Sequence, residues 1–179
     1  MKKIMLLLLL LYANLILGQE EMTTNAGIVN FEASVPLFEE VKATNNKASC
    51  ILNTKTAAIA SVVLIQDFRF KIPMMEKHFN DNYMESADYP KATFKGIIEG
   101  FNWNIIGTAP KEFKLNGTLK LHGKSKKIGT IAILRKVDGR LEIIADFDIR
   151  LRDFNIEIPE MLCMKVSETV NVKTLFLIN

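Results

Sequence analysis

Two histidines, two cysteines and one closely spaced pair of aspartates carry most of the reactive chemistry in this chain. His78 and His122 form no HxxxH pair, and Cys50 and Cys163 lie far apart, outside any CxxC spacing. Four-ligand zinc coordination needs more nitrogen and sulfur donors at closer spacing. Nucleophilic catalysis lacks its parts too: there is no GxSxG elbow, neither cysteine has a histidine close in sequence, and no glycine-rich phosphate loop occurs. Asp146 and Asp148 sit two apart in an alternating run and so point to one side of a strand, as a carboxylate pair would. That face alternates with Phe147 and Ile149, which makes it a solvated exterior. His122 reads as an exposed side chain beside a turn. His78, next to Phe79, is either a hydrogen-bonded structural histidine or a contact for a ligand's polar head. No catalytic residue, metal or cofactor is assigned; an enzyme whose groups converge from distant positions is the third-ranked reading.

The elements that would position these residues begin after residue 18. Lys2 and Lys3, the apolar run Ile4 to Leu17 and the small residue Gly18 have the layout of a secretory signal peptide, followed by Gln19-Glu20-Glu21. The apolar run is about fourteen residues, shorter than the roughly 20 that span a bilayer, so no transmembrane anchor is expected after cleavage. No cysteine follows closely enough for a lipoprotein anchor. Export places the protein in the periplasm of a Gram-negative cell, or outside the cell otherwise. Residues 19–179 then form one domain, about 160 residues with room for a sizeable core. Lys and Arg number 23 against 20 Asp and Glu. Setting Lys2 and Lys3 aside leaves 21 against 20, about +1, a balance with no long-range field to gather phosphates, which argues against nucleic acid. In an oxidising compartment Cys50 and Cys163 can form one disulfide; the alternative is two separate thiols.

Period-two alternation dominates residues 19–179. Leu141, Ile143, Ala145, Phe147, Ile149 and Leu151 alternate with mostly charged positions, and Phe113, Leu115, Leu119 and Leu121 do so against Lys114, Asn116, Thr118 and Lys120. Such runs are strands with one face on a core and the other in water. Phe68–Ile72, Val29–Val35, Phe101–Ile106, Ile128–Val137 and Val166–Ile178 are read the same way. Asp138-Gly139 is a hairpin signal; Asn45-Asn46 and the basic stretch Gly123–Lys127 are read as further turns. Pro73 to about Asn80 is a short helix, with proline at its first position and Met75 and Phe79 four apart. About eight strands and one helix predict an all-β barrel or sandwich, and long runs with one charged face favour a barrel. An eight-stranded barrel is filled by its own side chains or holds one small ligand.

Apolar residues are the richer inventory. The chain has eleven Phe, one Trp and eight Met, with Met side chains suited to irregular or flexible apolar partners. Three blocks of sequence carry a resemblance. The first is Phe70-Lys71-Ile72-Pro73-Met74, then His78-Phe79, Tyr83-Met84-Glu85-Ser86 and Tyr89-Pro90-Lys91-Ala92-Thr93-Phe94. The second is Leu119-Lys120-Leu121-His122-Gly123-Lys124-Ser125, and the third runs from Phe147-Asp148-Ile149 through Asp153-Phe154-Asn155-Ile156 to Pro159. In order and spacing, across roughly Ile28 to Ile178, these resemble the YceI-like family. The Met161-Leu162-Cys163-Met164 stretch is more apolar than the polar loop usual in that family, and the hairpins are shorter.

That resemblance implies an extended, lipocalin-like antiparallel β-barrel of about eight strands with one short helix, and a tunnel for a long-chain apolar ligand such as a polyisoprenoid or a fatty-acid derivative. On this reading Phe68, Phe70, Ile72, Met75, Phe79, Phe94, Trp103 and Phe147 line a cavity whose mouth lies near the helix, with His78 close to the ligand's polar head. Phe68, Phe70 and Ile72 are expected on one strand face running into the helix. The competing expectation is a barrel plugged by its own Phe and Met, acting through its surface as a structural or protein-interaction module of the cell envelope.

Overall fold

Alternating apolar side chains along long strands force a sheet to bury one face, and here the sheet does so by closing on itself. The computed structural model describes residues 20–179; the expected signal peptide, residues 1–18, lies outside them. The strands are β1 (Glu21–Ser34), β2 (Lys42–Asn53), β3 (Ala58–Leu64), the two-residue β4 (Arg69–Phe70), β5 (Lys91–Ile98), β6 (Lys111–Leu121), β7 (Lys124–Val137), β8 (Arg140–Arg150) and β9 (Val166–Ile178). Among the described residues one α-helix of a turn and a half, α1 (Pro73–His78), interrupts them. The long strands follow the order β1-β9-β8-β7-β6-β5-β3-β2, and β1 pairs with β2 to complete the circle. All pairings are antiparallel, so the fold is a closed eight-stranded barrel with β4 added along one end of β2. Closure removes the unpaired edges of the eight long strands.

Turn chemistry decides where the chain reverses. Asp138 and Gly139 both take positive φ, 50° and 79°, and join Val137 to Arg140 as a two-residue hairpin whose twist matches the strands it joins. His122 and Gly123, at φ 46° and 72°, do the same between Leu121 and Lys124. The basic run expected as a turn is therefore mostly strand: Lys124 to Lys127 pair with β6, because two residues suffice to reverse the chain.

Two other expectations are corrected. Asn45-Asn46 is not a reversal but lies within β2. The Asn45 side chain, wholly buried, accepts from Lys47 N–H at 2.8 Å and donates to the Leu64 carbonyl at 2.9 Å. Register between β1 and β2 shifts around this point, so the turn-forming chemistry of Asn is spent on a bulge that bends the strand. Phe101–Ile106 is likewise not a strand. It forms a short 3-10 turn over Trp103–Ile105, started by the Asn102 side chain accepting from Asn104 N–H at 2.9 Å.

The barrel has two unlike ends. At one, the β2–β3 and β7–β8 turns and the loop carrying Trp103 surround a solid core of Leu52, Ile98, Ile106, Leu134, Leu141 and Ile178, all essentially without solvent contact. At the other end lie the β1–β2 loop, the excursion 65–90 that contains α1, and the 151–165 loop between β8 and β9. The cysteines are divided between these ends and do not pair. Cys50 is buried on β2 toward the solid end; Cys163 is exposed in the 151–165 loop, where its thiol donates to the Glu160 carbonyl.

Candidate functional site

Between the solid core and the second end the barrel is hollow. A cavity of about 580 Å³ occupies this half, in the range of roughly 300–1,000 Å³ usual for small-molecule sites. Inward positions of the strands make its wall: Val29, Phe31 and Ala33 on β1, Leu115, Leu119 and Leu121 on β6, and Ile143, Ala145, Phe147 and Ile149 on β8. Ser61, Thr130 and Thr174 are among the few polar residues on the wall, the two threonine hydroxyls donating to the Asp146 and Ala145 carbonyls, and Glu39, His78, Tyr83 and Lys165 stand on the loops and helix that ring the opening. Among the described residues no group of three or more His, Cys, Asp and Glu could hold a metal ion. Such a lining can bury an apolar chain and offers it no buried charge.

The lid over one side of this space is built on phenylalanine. Phe79, at the end of α1, stacks on Phe31 of β1 with ring centres 5.2 Å apart, and its ring meets Phe68 at 5.7 Å and Phe70 at 5.1 Å. Four rings thus weld the helix to the barrel, each pair adding about 0.5–1.5 kcal/mol beyond its buried area. Glu76 fixes the entry to the helix by accepting from Phe70 N–H at 3.1 Å and from the Arg69 guanidinium at 3.2 Å. Beyond His78 the helix widens: Met84 N–H donates to the Phe79 carbonyl at 2.9 Å, five residues back, and this swings Tyr83 and Met84 onto the cavity.

Phe94 shapes the opposite wall. Its inward ring lies over Gly96 of β5 and Gly117 of β6, so closely that a Cβ at Gly96 would stand 2.8 Å from the ring. The paired glycines let the aromatic ring lie along the wall, which keeps the lumen open beside it.

Of the nine side chains expected at the ligand, seven face this cavity: Phe68, Phe70, Met75, His78, Phe79, Phe94 and Phe147. Ile72 does not. Strand pairing ends at Phe70, the chain turns into the helix with Ile72 as the residue before Pro73, and the expected common face with Phe68 is lost. Trp103 does not either; it packs at the solid end, with Lys136 Nζ 4.2 Å above its ring. Sequence reasoning missed Phe31, Tyr83, Met84 and the loop residues Phe38, Ile156 and Leu162, which also line the space. Phe31 carried a signal, since it alternates with Val29 and Ala33. The loop residues carried none, because no periodicity marks which side of an irregular segment turns inward.

The fold has solved counterparts. The polyisoprenoid-binding domain from Saccharophagus degradans implicated in plant cell wall breakdown superposes with a TM-score of 0.75 at 17% identity, covering 89% of this chain and 98% of that one. Burkholderia cenocepacia BcnA gives 0.70 at 16% identity, over 86% and 96%, and the Campylobacter jejuni YceI protein gives 0.58 at 18%, over 80% and 88%. At these identities the likeness speaks for the fold. No curated protein sequence matches the chain. The YceI-like domain model matches residues 21–176, from the first residue of β1 almost to the end of β9, and the chain belongs to that family.

Proposed function

We propose that this protein is an exported carrier that holds one long apolar chain, a polyisoprenoid or related lipid, inside the hollow half of its barrel. The observation that carries the reading is the cavity itself, about 580 Å³ of space walled by aliphatic and aromatic side chains, with its polar groups gathered mainly at the opening. Burial of each methylene is worth about 0.8 kcal/mol, so a few isoprene units give useful affinity without an ionic anchor. Phe68, Phe70, Met75, Phe79, Phe94 and Phe147 would contact the tail, and a polar head would rest near His78 and Lys165. The Saccharophagus counterpart, a polyisoprenoid-binding domain, supports the ligand class.

The test is a tail-length series read by displacement of a fluorescent fatty acid or prenol. Affinity should climb with chain length until the space is full. Phe70→Asp should abolish binding, and Lys120→Ala, on the exposed outer face of β6, should leave it unchanged. If no chain length binds and purified protein carries no lipid by native mass spectrometry, the barrel is instead a structural or interaction module. Export is tested separately: protein from the native cell should begin at or near Gln19, and a cytoplasmic chain starting at Met1 would refute it.

A further inference from the structure

Large apolar side chains project into solvent around the open end of the barrel. Leu37 is fully exposed, Met161 is 88% and Met164 73% exposed, and Phe38 and Met74 are exposed as well. They come from three separate segments, the β1–β2 loop, α1 and the 151–165 loop. Each is a chain neighbour of a residue that lines the cavity: Phe38 lines it directly, Met74 precedes Met75, and Met161 and Met164 flank Leu162 and Lys165. The exposed residues therefore continue the apolar wall outward over the rim.

Backbone geometry shows how one of them is presented. Phe38 N–H donates to the Val35 carbonyl at 3.2 Å, closing a turn with Pro36 and Leu37 at its centre, and Leu37 has φ 72°. That corner suits glycine or asparagine. A leucine there is held in a disfavoured conformation while its side chain gains nothing from the barrel, so its contact lies outside the barrel.

We infer that the rim formed by Leu37, Phe38, Met74, Met161 and Met164 is a bilayer-insertion surface, which seats the open end on a lipid membrane so that an apolar chain passes between bilayer and cavity without crossing water. This rests on the proposed carrier function, because a long apolar chain has negligible solubility and must be loaded through contact. The side-chain types fit: Leu37 and Phe38 are of the kinds that bury at the boundary of headgroups and acyl chains, and the three methionines adapt to a fluid apolar partner. Charge on the same elements is net acidic, with six Asp and Glu side chains against Lys77, Arg152 and Lys165. Insertion is therefore driven by apolar contact, and anionic lipid opposes it. The orientation is also defined, since the first and last described strands, β1 and β9, meet at the opposite end, where Thr23 N–H donates to the Asn179 carbonyl.

Cys163 supplies a native reporter, being exposed on the rim while Cys50 is buried. An environment-sensitive thiol dye on Cys163 should shift to the blue on addition of pure phosphatidylcholine vesicles, and a dye on Arg140→Cys in a Cys163→Ser chain, at the solid end, should not. Leu37→Asp with Met161→Asp should lower vesicle partitioning about a hundredfold, and anionic lipid should weaken wild-type partitioning rather than strengthen it. Equal shifts at both ends, undiminished partitioning of the double variant, or a rim shift that follows protein concentration without vesicles would each overturn the inference. Fluorescent prenol binding is measured in parallel in vesicle-free solution. Binding there without a rim response to vesicles defeats the docking surface alone; a rim response with no chain binding defeats the carrier reading and leaves the docking surface standing.

Discussion

His122 and Glu85 close a clasp between the barrel and the excursion that carries the helix. His122 Nε2 lies 2.9 Å from a Glu85 carboxylate oxygen, its Nδ1 is 3.1 Å from the Phe154 carbonyl, and the Tyr89 ring packs on the imidazole with centres 4.3 Å apart. Both residues hold positive φ, 46° for His122 and 43° for Glu85. A side chain expected to be exposed thus joins three segments: the β6–β7 turn, the 79–90 stretch and the 3-10 turn that follows β8. Only 9% of the imidazole side chain meets solvent while the Glu85 side chain is 51% exposed, so the contact with the Phe154 carbonyl is the more shielded of the two.

Removing the clasp should loosen the lid without unfolding the barrel. His122→Ala is expected to cost about 1–3 kcal/mol. Amides in the 79–90 stretch, among them Met84 and Ser86, which donate to Phe79 and Asn80 carbonyls, should exchange faster with deuterium. Amides of β7 and β8 near Ala132 and Ala145 should keep their protection. Uniform loss of protection would show that the clasp holds the whole barrel together.

Opposite faces of β8 should respond oppositely to mutation. Phe147 faces the cavity and Ile149 is buried beside it, while Asp146 and Asp148 are exposed. Phe147→Asp places a carboxylate against an apolar wall and should lower stability by about 3 kcal/mol or more. Asp148→Ser should be nearly silent, because the Asn171 amide that reaches Asp148 at 3.0 Å also reaches Asp146 at 2.7 Å and keeps a partner. Equal shifts in Tm would refute the register.

The two thiols should differ sharply in reactivity. Burial pushes the Cys50 thiol up from 9.0 to about 12, so it stays protonated and shielded, while Cys163 is exposed. A disulfide-exchange reagent at pH 8 should titrate one thiol at once and the second only after unfolding. The shift also has a sign for stability. The folded state retains a proton that the unfolded state loses above pH 9, so stability should fall progressively from pH 9 to about 12. Two thiols reacting together in native protein would contradict this placement.

Cavity length should be adjustable from the open half alone. Phe94→Ala removes a wall ring and should move the best-fitting tail to a longer chain. Leu134→Ala, in the solid end and away from the cavity lining, should destabilise by about 2–5 kcal/mol and leave the best tail length unchanged. A shift caused by Leu134→Ala would mean that the two halves communicate.

Local pattern was enough for most of the barrel. Alternation in Phe113–Leu121 and Leu141–Leu151 placed those strands and their inward faces, because a period of two leaves each side chain only two directions to point. Asp138-Gly139 specified its hairpin, since both residues tolerate the positive φ such a turn demands. Pro73, Met75 and Phe79 marked the helix, and their neighbours carried the family resemblance. Tertiary structure decided what pattern cannot encode. Trp103 and Phe94 look alike in sequence, yet one packs in a loop at the solid end and the other lies along the open lumen over Gly96 and Gly117. Asn45-Asn46 has the composition of a reversal, yet the strand runs through it, because the Leu64 carbonyl on a neighbouring segment supplies the partner that keeps Asn45 buried. The hollow itself depends on how far side chains from eight strands reach across a shared axis, a sum over residues distant in sequence that no single strand contains.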